Sequence, residues 1–482
     1  MENRYFLQTF GCQMNVHDSD RLAETLNAHG WSLTEKQEDA ELIIFNTCSV
    51  REKAEQKLRS EVGKLAPMKL ERPELVVCVA GCVAQQEGEK LLSRVKHIDI
   101  VIGPDNLSEL PALVEDQRRG SPPRARTVFD VESPVFLAAS PKAGKSGAGA
   151  FVTTMKGCDE RCSFCVVPYT RGPERYRPAA EIVAECKRWV AAGTKEIVLL
   201  GQTVDSFRDA ELPPPVSVDP DESQFPQLLE LIAREVSGLA RLRYTSPHPR
   251  HLTASLVRAH TELNVLAHHV HMPVQSGSDR ILKRMIRRYT HAEYIERANR
   301  LKKAHYDMTM STDIIVGFPG ETEADFQMTL DLVREVGFTS AFAFKFSPRP
   351  LTPALKLADD VSESDKSDRL ARLFDLVDSQ QQAHLLTLVG TRATVLVEGA
   401  SKSGDFFQGR TERNEIVHMP AAAFVRDGAA LDPACQLVAV AITSANKHSL
   451  TGDPDVASLA QLPIFTALKL KPGPRTLPLL NA

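Results

Sequence analysis

The 482-residue sequence predicts an α/β protein with an N-terminal doubly wound parallel sheet, a central partial (β/α)6 barrel and a small C-terminal β-barrel. Strand-like and helix-like segments alternate up to about residue 120. A Pro-, Gly- and Ser-rich stretch follows, and the alternation then resumes for about six units. From about residue 383, short apolar runs separated by turns replace the helices. We therefore place domains at 1–120, 149–380 and 383–449, a linker at 121–148 and a tail at 450–482.

Composition is that of an ordinary globular protein, with 43% hydrophobic and 25% charged residues. The N-terminus, MENRYFLQTFGC, lacks a basic flank followed by an apolar run, and no apolar stretch reaches the roughly 18 residues of a membrane span. We expect a cytoplasmic protein without a membrane partner. The net charge of −4 argues against a globally basic nucleic-acid binder, so any RNA contact requires a local basic face.

The N-terminal segment contains four apolar strand candidates, RYFLQTF, ELIIFNT, ELVVCVAG and IDIVIGP, with helical stretches such as HDSDRLAETLNAHG and REKAEQKLRSEVGKL between them. Three of these strands end in a cysteine: Cys12, Cys48 and Cys82. The ligand crevice of an open parallel sheet lies at the carboxyl ends of its strands, so we expect the three thiols to converge there. The alternative is three unrelated buried thiols.

A second cysteine triplet lies in MKGCDERCSFCVVPYTRG, where Cys158, Cys162 and Cys165 occupy eight positions. In a reducing compartment, clustered cysteines are metal ligands or catalysts more often than disulfides. Tetrahedral zinc needs a fourth ligand, and none lies nearby in sequence. Three cysteines on an iron–sulfur cluster leave one iron open for a substrate. A structural zinc ribbon remains the alternative.

This spacing, with Phe164 just before the third cysteine, resembles the radical S-adenosylmethionine (SAM) superfamily. The resemblance implies that Cys158, Cys162 and Cys165 hold a [4Fe-4S] cluster whose open iron binds the amino and carboxylate groups of SAM. An electron passed to the sulfonium then releases a 5′-deoxyadenosyl radical.

The segments TFGCQMNVHDSD, NTCSVREKAEQK and AGCVAQQ resemble one branch of the superfamily, the methylthiotransferases. The likeness to that branch covers residues 4 to about 450. It implies that Cys12, Cys48 and Cys82 hold a second [4Fe-4S] cluster, which carries the sulfur to be transferred.

Three segments are similar to those of the bacterial methylthiotransferases that act next to the tRNA anticodon. They are QMN after Cys12, VREKAEQK after Cys48 and CVVPYTRG at Cys165. The resemblance implies conversion of N6-isopentenyladenosine (dimethylallyladenosine) into 2-methylthio-N6-isopentenyladenosine, with two SAM molecules per turnover. Partners are then a prenylated tRNA anticodon loop and a reducing electron donor, and we expect a monomer. The alternatives are action on threonylcarbamoyladenosine, action on a ribosomal-protein aspartate, or a non-catalytic zinc-containing RNA-binding protein.

Polar residues at the predicted ends of barrel strands are implied to contact SAM. They are Gln202 in GQTVDSF, and Gln275 and Ser276 in HMPVQSGSDRILKRMIRRYT. Ser276 has the alternative role of helix capping.

The sequence departs from the family pattern in two loops. Thr203 and Asp205 stand where asparagine is common, and Leu351 where glycine is usual, which weakens contacts assigned through these loops. Arg171 and Glu174 follow the second triplet and are candidates for SAM or tRNA contact, or for a surface ion pair.

The C-terminal segments TVLVEGASKSGDFFQGRTERNEIVHM and ITSANKHSL resemble the TRAM domain, an RNA-binding module. Acidic and basic residues nearly balance in this region. An RNA role therefore requires four cations to share one face, namely Lys402, Arg410, Arg413 and Lys447.

Overall fold

The computed structural model describes residues 3–49, 52–132, 134–137, 147–215, 217 and 219–463. These residues form two compact units. The first comprises the described residues up to 137 together with 155–177 and 347–355, and the second comprises 147–154, 178–346 and 356–463. Some parts of the sequence expectations lie outside the described residues: Val50 and Arg51 of VREKAEQK, 133 and 138–146 of the linker, and 464–482 of the tail.

The first unit contains a six-stranded, all-parallel sheet in the order β2-β1-β3-β4-β5-β6. Its strands are β1 (Arg4–Phe10), β2 (Ser32–Leu33), β3 (Leu42–Thr47), β4 (Val76–Gly81), β5 (Ile100–Ile102) and β6 (Arg124–Arg126). Its helices are α1 (Gln13–Ala28), α2 (Glu52–Glu71), α3 (Cys82–Glu87), α4 (Glu89–Arg94) and α5 (Leu110–Arg118).

Helices cover both faces of this sheet, which explains why its central strands are uninterrupted runs of mostly apolar residues. Leu42 and Ile44 of β3 pack on one face with α1 and α5, while Ile43 and Phe45 pack on the other with α2, α3 and α4. Every residue of β3 and β4 is buried. The predicted doubly wound sheet is confirmed.

Strand β6 lies within the stretch predicted as a linker. It pairs in parallel with β5, from Ile100 opposite Arg124 to Ile102 opposite Arg126. As an edge strand, β6 needs only one ladder of backbone hydrogen bonds and little apolar surface, so its composition resembles that of a linker.

The second unit contains six parallel strands in two three-stranded sheets, β7-β10-β11 and β12-β13-β14. The strands are β7 (Gly149–Thr153), β10 (Glu196–Leu200), β11 (Arg241–Tyr244), β12 (His269–His271), β13 (Thr309–Val316) and β14 (Ser340–Lys345). The helices that follow them are α7 (Ala179–Ala191), α8 (Phe225–Glu235), α9 (Ala254–Glu262), α10 (Asp279–Arg284), α11 (His291–Lys302), α12 (Glu323–Val336) and α13 (Glu363–Thr387). Six strands with their helices confirm the predicted (β/α)6 arrangement. A short antiparallel ribbon, β8 (Met155–Lys156) with β9 (Arg175–Tyr176), and helix α6 (Val167–Thr170) belong to the first unit.

The C-terminal part of the second unit is a closed five-stranded barrel in the order β15-β16-β17-β21-β20, as the sequence predicted. Its strands are β15 (Arg392–Ala400), β16 (Phe406–Arg410), β17 (Ile416–Pro420), β20 (Leu437–Ala445) and β21 (Leu450–Pro454). A hairpin of β18 (Val425–Arg426) and β19 (Ala429–Ala430) and the short helix α14 (Val456–Leu459) accompany it. Strand β21 lies where the sequence placed a tail. It closes the barrel by pairing with β17 and β20.

Candidate cluster sites

The three N-terminal cysteines lie at the ends of three neighbouring parallel strands. Phe10 of β1 is opposite Thr47 of β3, and Thr47 is opposite Gly81 of β4. Cys48 and Cys82 follow their strands immediately, and Cys12 follows Phe10 by two residues. The Cys48 amide also donates a 2.9 Å hydrogen bond to the Phe10 carbonyl. The strand register therefore brings three residues that are far apart in sequence to one edge of the sheet.

Two buried asparagines brace this edge. The Asn15 side chain accepts hydrogen bonds from the Cys12 amide at 3.4 Å and the Cys12 thiol at 3.3 Å. It donates to Asn46 Oδ1 at 3.2 Å, while Asn46 Nδ2 donates to the Asn15 carbonyl at 2.9 Å. A Cβ at Gly11 would lie 2.7 Å from the Cys48 Cβ, so this close approach requires glycine. The site analysis of the sequence missed both asparagines, although QMN and NTC in the cysteine segments contain them.

Arg171, from the loop after α6, is the cation at this edge. Its Nη2 lies 2.6 Å from Asp18 Oδ2, and both side chains are buried. Burial by itself would raise the pKa of Asp18, but the Arg171 charge, together with His17 and the hydrogen bond from Arg171, outweighs burial and lowers it. The sequence left open a surface ion pair for Arg171; the pair is buried.

The same cation acts on the cysteine thiols. A hydrogen bond with Cys48 lowers the pKa of Cys12 to about 6, burial opposes this change, and the Arg171 charge adds to it. Burial raises the pKa of Cys82 in spite of Arg171, and a negative Cys12 raises it further. Before metal binds, the edge therefore favours one thiolate, at Cys12.

The second triplet lies in a loop between β8 and α6. The loop is closed at its base by the ladder in which Met155 is opposite Tyr176 and by a 3.1 Å hydrogen bond from the Cys158 amide to the Gly172 carbonyl. Gly157 has φ +80°, and a Cβ there would collide with the Gly172 and Pro173 carbonyls. Cys158 and Cys162 are buried, and Cys165 is half-buried.

Three further hydrogen bonds hold the second loop. The Asp159 amide donates to Glu174 Oε1 at 3.2 Å, and the Glu174 amide donates to Asp159 Oδ1 at 3.2 Å. The Tyr176 hydroxyl also donates to Glu174. Glu174, one of the candidates for SAM or tRNA contact, is thus a brace within the loop.

Both triplets fit an iron–sulfur cluster by their donor sets. [4Fe-4S] clusters are bound through cysteine thiolates, and three of them leave one iron with an open position. The first triplet offers three thiols on adjacent strand ends beside a buried cation, and the second offers three thiols in one loop closed by hydrogen bonds.

The three residues implied to contact SAM belong to the second unit. Both polar atoms of the Gln202 amide are buried and have no hydrogen-bond partner within the described part of the chain. Gln275 has φ +69°, unusual for a residue with a side chain, and continues the ladder beyond β12 through its bridge to Ile314. Ser276 Oγ accepts from the Ser278 amide at 3.2 Å. Ser278 itself is the N-cap of α10, so the capping alternative for Ser276 is wrong.

Of the four C-terminal cations, two have exposed side chains and two are largely buried in ion pairs. Lys402 and Lys447 are exposed, and Lys447 lies 2.8 Å from Asp378. The other two are largely buried: Arg410 Nε lies 3.0 Å from Glu398, and Arg413 Nη1 lies 2.9 Å from Asp307. The four cations therefore differ in their availability to phosphate.

Two family descriptions match the sequence: the Uncharacterized protein family UPF0004 over residues 4–103 and the Radical SAM superfamily over residues 152–333. The tRNA-2-methylthio-N(6)-dimethylallyladenosine synthase of Sorangium cellulosum (strain So ce56) is 56% identical over 500 residues, covering 99% of each chain. The synthase of the same name from Methylobacillus flagellatus is 42% identical and covers 94% of this chain and 99% of the relative.

Among solved structures, the radical SAM methyltransferase TsrM from Kitasatospora setae, with cobalamin and a [4Fe-4S] cluster bound, aligns with a TM-score of 0.51 at 14% identity. The alignment covers 73% of this chain and 77% of TsrM, and at this identity the likeness concerns the fold alone. Within the described residues, no helix has the length and apolar character of a membrane span.

Proposed function

We propose roles for the two cysteine triplets from the premise that this chain belongs to the family of tRNA-2-methylthio-N(6)-dimethylallyladenosine synthases. It is a radical SAM methylthiotransferase that modifies tRNA and uses two [4Fe-4S] clusters and SAM. The observation that carries this conclusion is 56% identity along nearly the whole length of both chains, together with two cysteine triplets in separate segments.

Cys158, Cys162 and Cys165 are the proposed ligands of the SAM-binding cluster. A cluster held by these thiolates would supply the electron and the open iron position that reductive cleavage of SAM requires. The braced loop positions the three thiols. The Asp159–Glu174 hydrogen bonds keep its two ends together.

Cys12, Cys48 and Cys82 are the proposed ligands of the second cluster, which carries the sulfur for transfer. Arg171 has a positioning role here, because its buried charge favours the thiolate at Cys12. Asp18 fixes the guanidinium through the 2.6 Å ion pair. Asn15 orients Cys12 through hydrogen bonds to its amide and thiol.

The substrate that this assignment serves is N6-dimethylallyladenosine beside the anticodon of tRNA, methylthiolated at C2. That C–H bond offers neither an acidic proton nor a leaving group, so acid–base chemistry does not activate it. Gln202, Gln275 and Ser276 are proposed SAM contacts. The Gln202 amide is buried and has no partner among the residues that the structure describes, which supports its part, since such a group costs stability unless a ligand pairs with it.

Phosphate contact is proposed for the four cations of the C-terminal barrel that the sequence indicated, Lys402, Arg410, Arg413 and Lys447. The structure supports the two lysines more strongly than the two arginines. Lys402 and Lys447 have the exposure that contact with an RNA backbone requires. Arg410 and Arg413 would have to leave their carboxylate partners. We further propose a cytoplasmic monomer that receives its electrons from a separate reducing partner.

Iron content and two products test the cluster assignment. Cys12→Ala, Cys48→Ala, Cys82→Ala in one chain should lower reconstituted iron by roughly half, since one of two equal clusters is lost. It should keep reductive formation of 5′-deoxyadenosine and lose the 2-methylthio nucleoside. Cys162→Ala should lose both products. Cys435→Ser, outside both triplets, is the matched control. A triple variant with full iron, or one that still methylthiolates, contradicts the assignment.

Mass analysis of tRNA nucleosides and of ribosomal peptides from a deletion strain tests the substrate. Loss of 2-methylthio-N6-dimethylallyladenosine with unchanged ribosomal peptides is expected. Loss of a methylthio group from a ribosomal peptide would instead assign the chain a protein substrate.

A further inference from the structure

A cluster of two histidines and one aspartate lies in the second unit, at the opposite strand ends from the proposed SAM contacts. His268 directly precedes β12, and Asp307 lies just before β13. His305 follows α11. These residues lie at the amino-terminal ends of the barrel strands, whereas Gln202 and Gln275 follow the carboxyl ends of β10 and β12. The cluster therefore does not belong to the proposed catalytic machinery.

Both imidazoles approach the same carboxylate oxygen. His268 Nδ1 lies 2.8 Å and His305 Nδ1 lies 2.6 Å from Asp307 Oδ1. The two rings are stacked, with centroids 3.7 Å apart and an interplanar angle of 28°. One ligand atom from each of the three residues lies within 4.8 Å of the other two. Two nitrogens and one oxygen thus converge on a small volume.

A turn of the C-terminal barrel completes the surroundings. Glu412 Oε2 lies 3.7 Å from His268 Nδ1, and its half-exposed side chain has room to move. The neighbouring Arg413 binds the other oxygen of Asp307, with Nη1 2.9 Å from Oδ2. Arg413 leaves Oδ1 for the histidines and holds the carboxylate in place. The Thr309 hydroxyl also donates to the Arg413 carbonyl at 3.3 Å.

The contact of His268 with Asp307 is short but is not a hydrogen bond. His268 Nδ1 is buried and has no hydrogen-bond partner within the described residues, although a carboxylate oxygen lies 2.8 Å away. A positive group between an imidazole nitrogen and an anionic oxygen stabilises so short a contact, and either a ring proton or a metal ion supplies it. His305 Nδ1 already shares a 2.6 Å hydrogen bond with the same oxygen, and a single metal ion would satisfy all three ligand atoms at once.

We infer that His268, His305 and Asp307 form a divalent transition-metal site of the zinc class, with Glu412 as the fourth ligand. Imidazole nitrogen and carboxylate oxygen are zinc donors at about 2.0–2.2 Å in tetrahedral sites. The nitrogen and oxygen atoms, now 2.6–2.8 Å apart, need to separate to about 3.3 Å around such an ion. The site ties the amino ends of β12 and β13 to the turn between β16 and β17. Its role is structural, because four protein ligands leave no open position.

Zinc binding to the holoenzyme tests the inference. With both iron–sulfur clusters assembled, the six cluster thiols are occupied and do not compete. Equilibrium dialysis against Zn²⁺ should give one bound zinc ion per chain, and zinc K-edge X-ray absorption should show nitrogen and oxygen neighbours without sulfur. His268→Asn, His305→Asn in one chain should abolish this binding. His448→Gln, which changes an exposed histidine of the same C-terminal barrel, is the matched control and should retain it.

Two further measurements keep the test decisive if the double variant folds poorly. Glu412→Gln changes a half-exposed side chain and should weaken zinc binding without unfolding the protein. In the wild type, zinc should slow amide hydrogen exchange in β16 and β17 relative to the zinc-free holoenzyme. A wild type that binds no zinc, a sulfur neighbour in the absorption spectrum, or zinc binding unchanged in both variants would overturn the site and leave an ion-pair cluster only.

Discussion

Arg171 and Asp18 are separated by 153 positions in the chain, and their side chains form a buried ion pair of 2.6 Å beside the three strand-end cysteines. The pair joins the segment that contains the second cysteine triplet to the first helix of the protein, within one compact unit.

Arg171→Met should strongly destabilise the cluster-free chain. It leaves the Asp18 carboxylate buried without its cation, and breaking a buried pair in this way costs about 3–5 kcal/mol of unfolding free energy. Urea unfolding followed by circular dichroism measures the loss. The double variant Arg171→Met, Asp18→Leu should recover part of it, because no buried charge is left alone. Arg334→Met removes an exposed pair with Asp331 and is the control, with an expected loss below about 1 kcal/mol. Equal losses for the two single variants would contradict the role of burial.

Cys12 should be the reactive thiol of the cluster-free chain. Its pKa is lowered to about 6, from an ordinary value of 9.0, by the Cys48 hydrogen bond and Arg171. The thiolate is the nucleophile, so alkylation of Cys12 by iodoacetamide should reach half its maximal rate near pH 6. Buried Cys78, whose pKa burial raises, should remain unmodified across the same range. Peptide mass spectrometry follows both residues. In Arg171→Met, the pH at which the alkylation rate of Cys12 is half maximal should increase. An unchanged pH of half-maximal rate would show that Arg171 does not lower the pKa of Cys12.

His260 should make folding stability sensitive to mild acid. Burial lowers its pKa from 6.5 to about 3 in the folded protein, where Nε2 pairs with the Tyr244 hydroxyl at 2.7 Å. The unfolded state therefore binds more protons below pH 6.5. The stabilisation is complete above that pH and is lost as the pH falls toward 3, at about 1.4 kcal/mol per pH unit.

The comparison of unfolding free energies at pH 6.5 and 5.5 tests this dependence. His260→Gln keeps an acceptor for Tyr244 but does not titrate, so its decrease should be smaller than that of the wild type by about 1 kcal/mol. The exposed-site variant His29→Gln should decrease as the wild type does. A decrease in His260→Gln equal to that of the wild type would show that His260 is not the titrating group.

Gln202→Met should separate ligand affinity from stability. Gln202 is a buried amide with no partner in the part of the chain that the structure describes. Its removal should leave the unfolding free energy unchanged or raise it, since such a group costs about 1–3 kcal/mol. SAM affinity, measured by equilibrium dialysis with the holoenzyme, should fall. Gln227→Met on α8 also removes a buried amide oxygen that has no partner in the described ranges of the chain, and it should leave SAM affinity unchanged. Wild-type SAM affinity in Gln202→Met would exclude it as a contact.

Leu351→Gly should stabilise the protein or leave its stability unchanged. Leu351 has φ +69° and is 56% exposed. A left-handed conformation costs a residue with a side chain roughly 1–2 kcal/mol, more than the roughly 0.5–1 kcal/mol of unfolded-state entropy that glycine adds. Leu355→Gly alters a similarly exposed leucine in a 3-10 turn and should be destabilising. Thermal unfolding of the two variants ranks them, and a destabilised Leu351→Gly would contradict the strain.

The sequence alone determined the fold class and the cysteine ligands to be tested, because both depend on local pattern. Apolar strands alternating with helices predict a parallel sheet, and the spacing of Cys158, Cys162 and Cys165 is a short-range feature. Cys12, Cys48 and Cys82 could be grouped since each closes a strand, and strands of a parallel sheet end at one edge. The departure at Leu351 was also visible, and the structure supplies its meaning through the positive φ.

Tertiary structure decided the partners that no local pattern contains. Asn15 meets Asn46 only because the sheet register aligns β1 with β3, and Arg171 meets Asp18 only because a distant loop packs on the same unit. The sequence pattern assigned the residues of β6 to a linker and those of β21 to a tail. An edge strand and a barrel-closing strand depend on backbone hydrogen bonds to their neighbours more than on apolar side chains, so neither has a clear apolar pattern. The sequence made Arg413 a candidate for phosphate contact, but it could not show that folding places the Asp307 carboxylate beside it. The sequence shows where charged residues occur but not which of them pair. The packing of the surrounding helices and strands determines the partner of each buried ion.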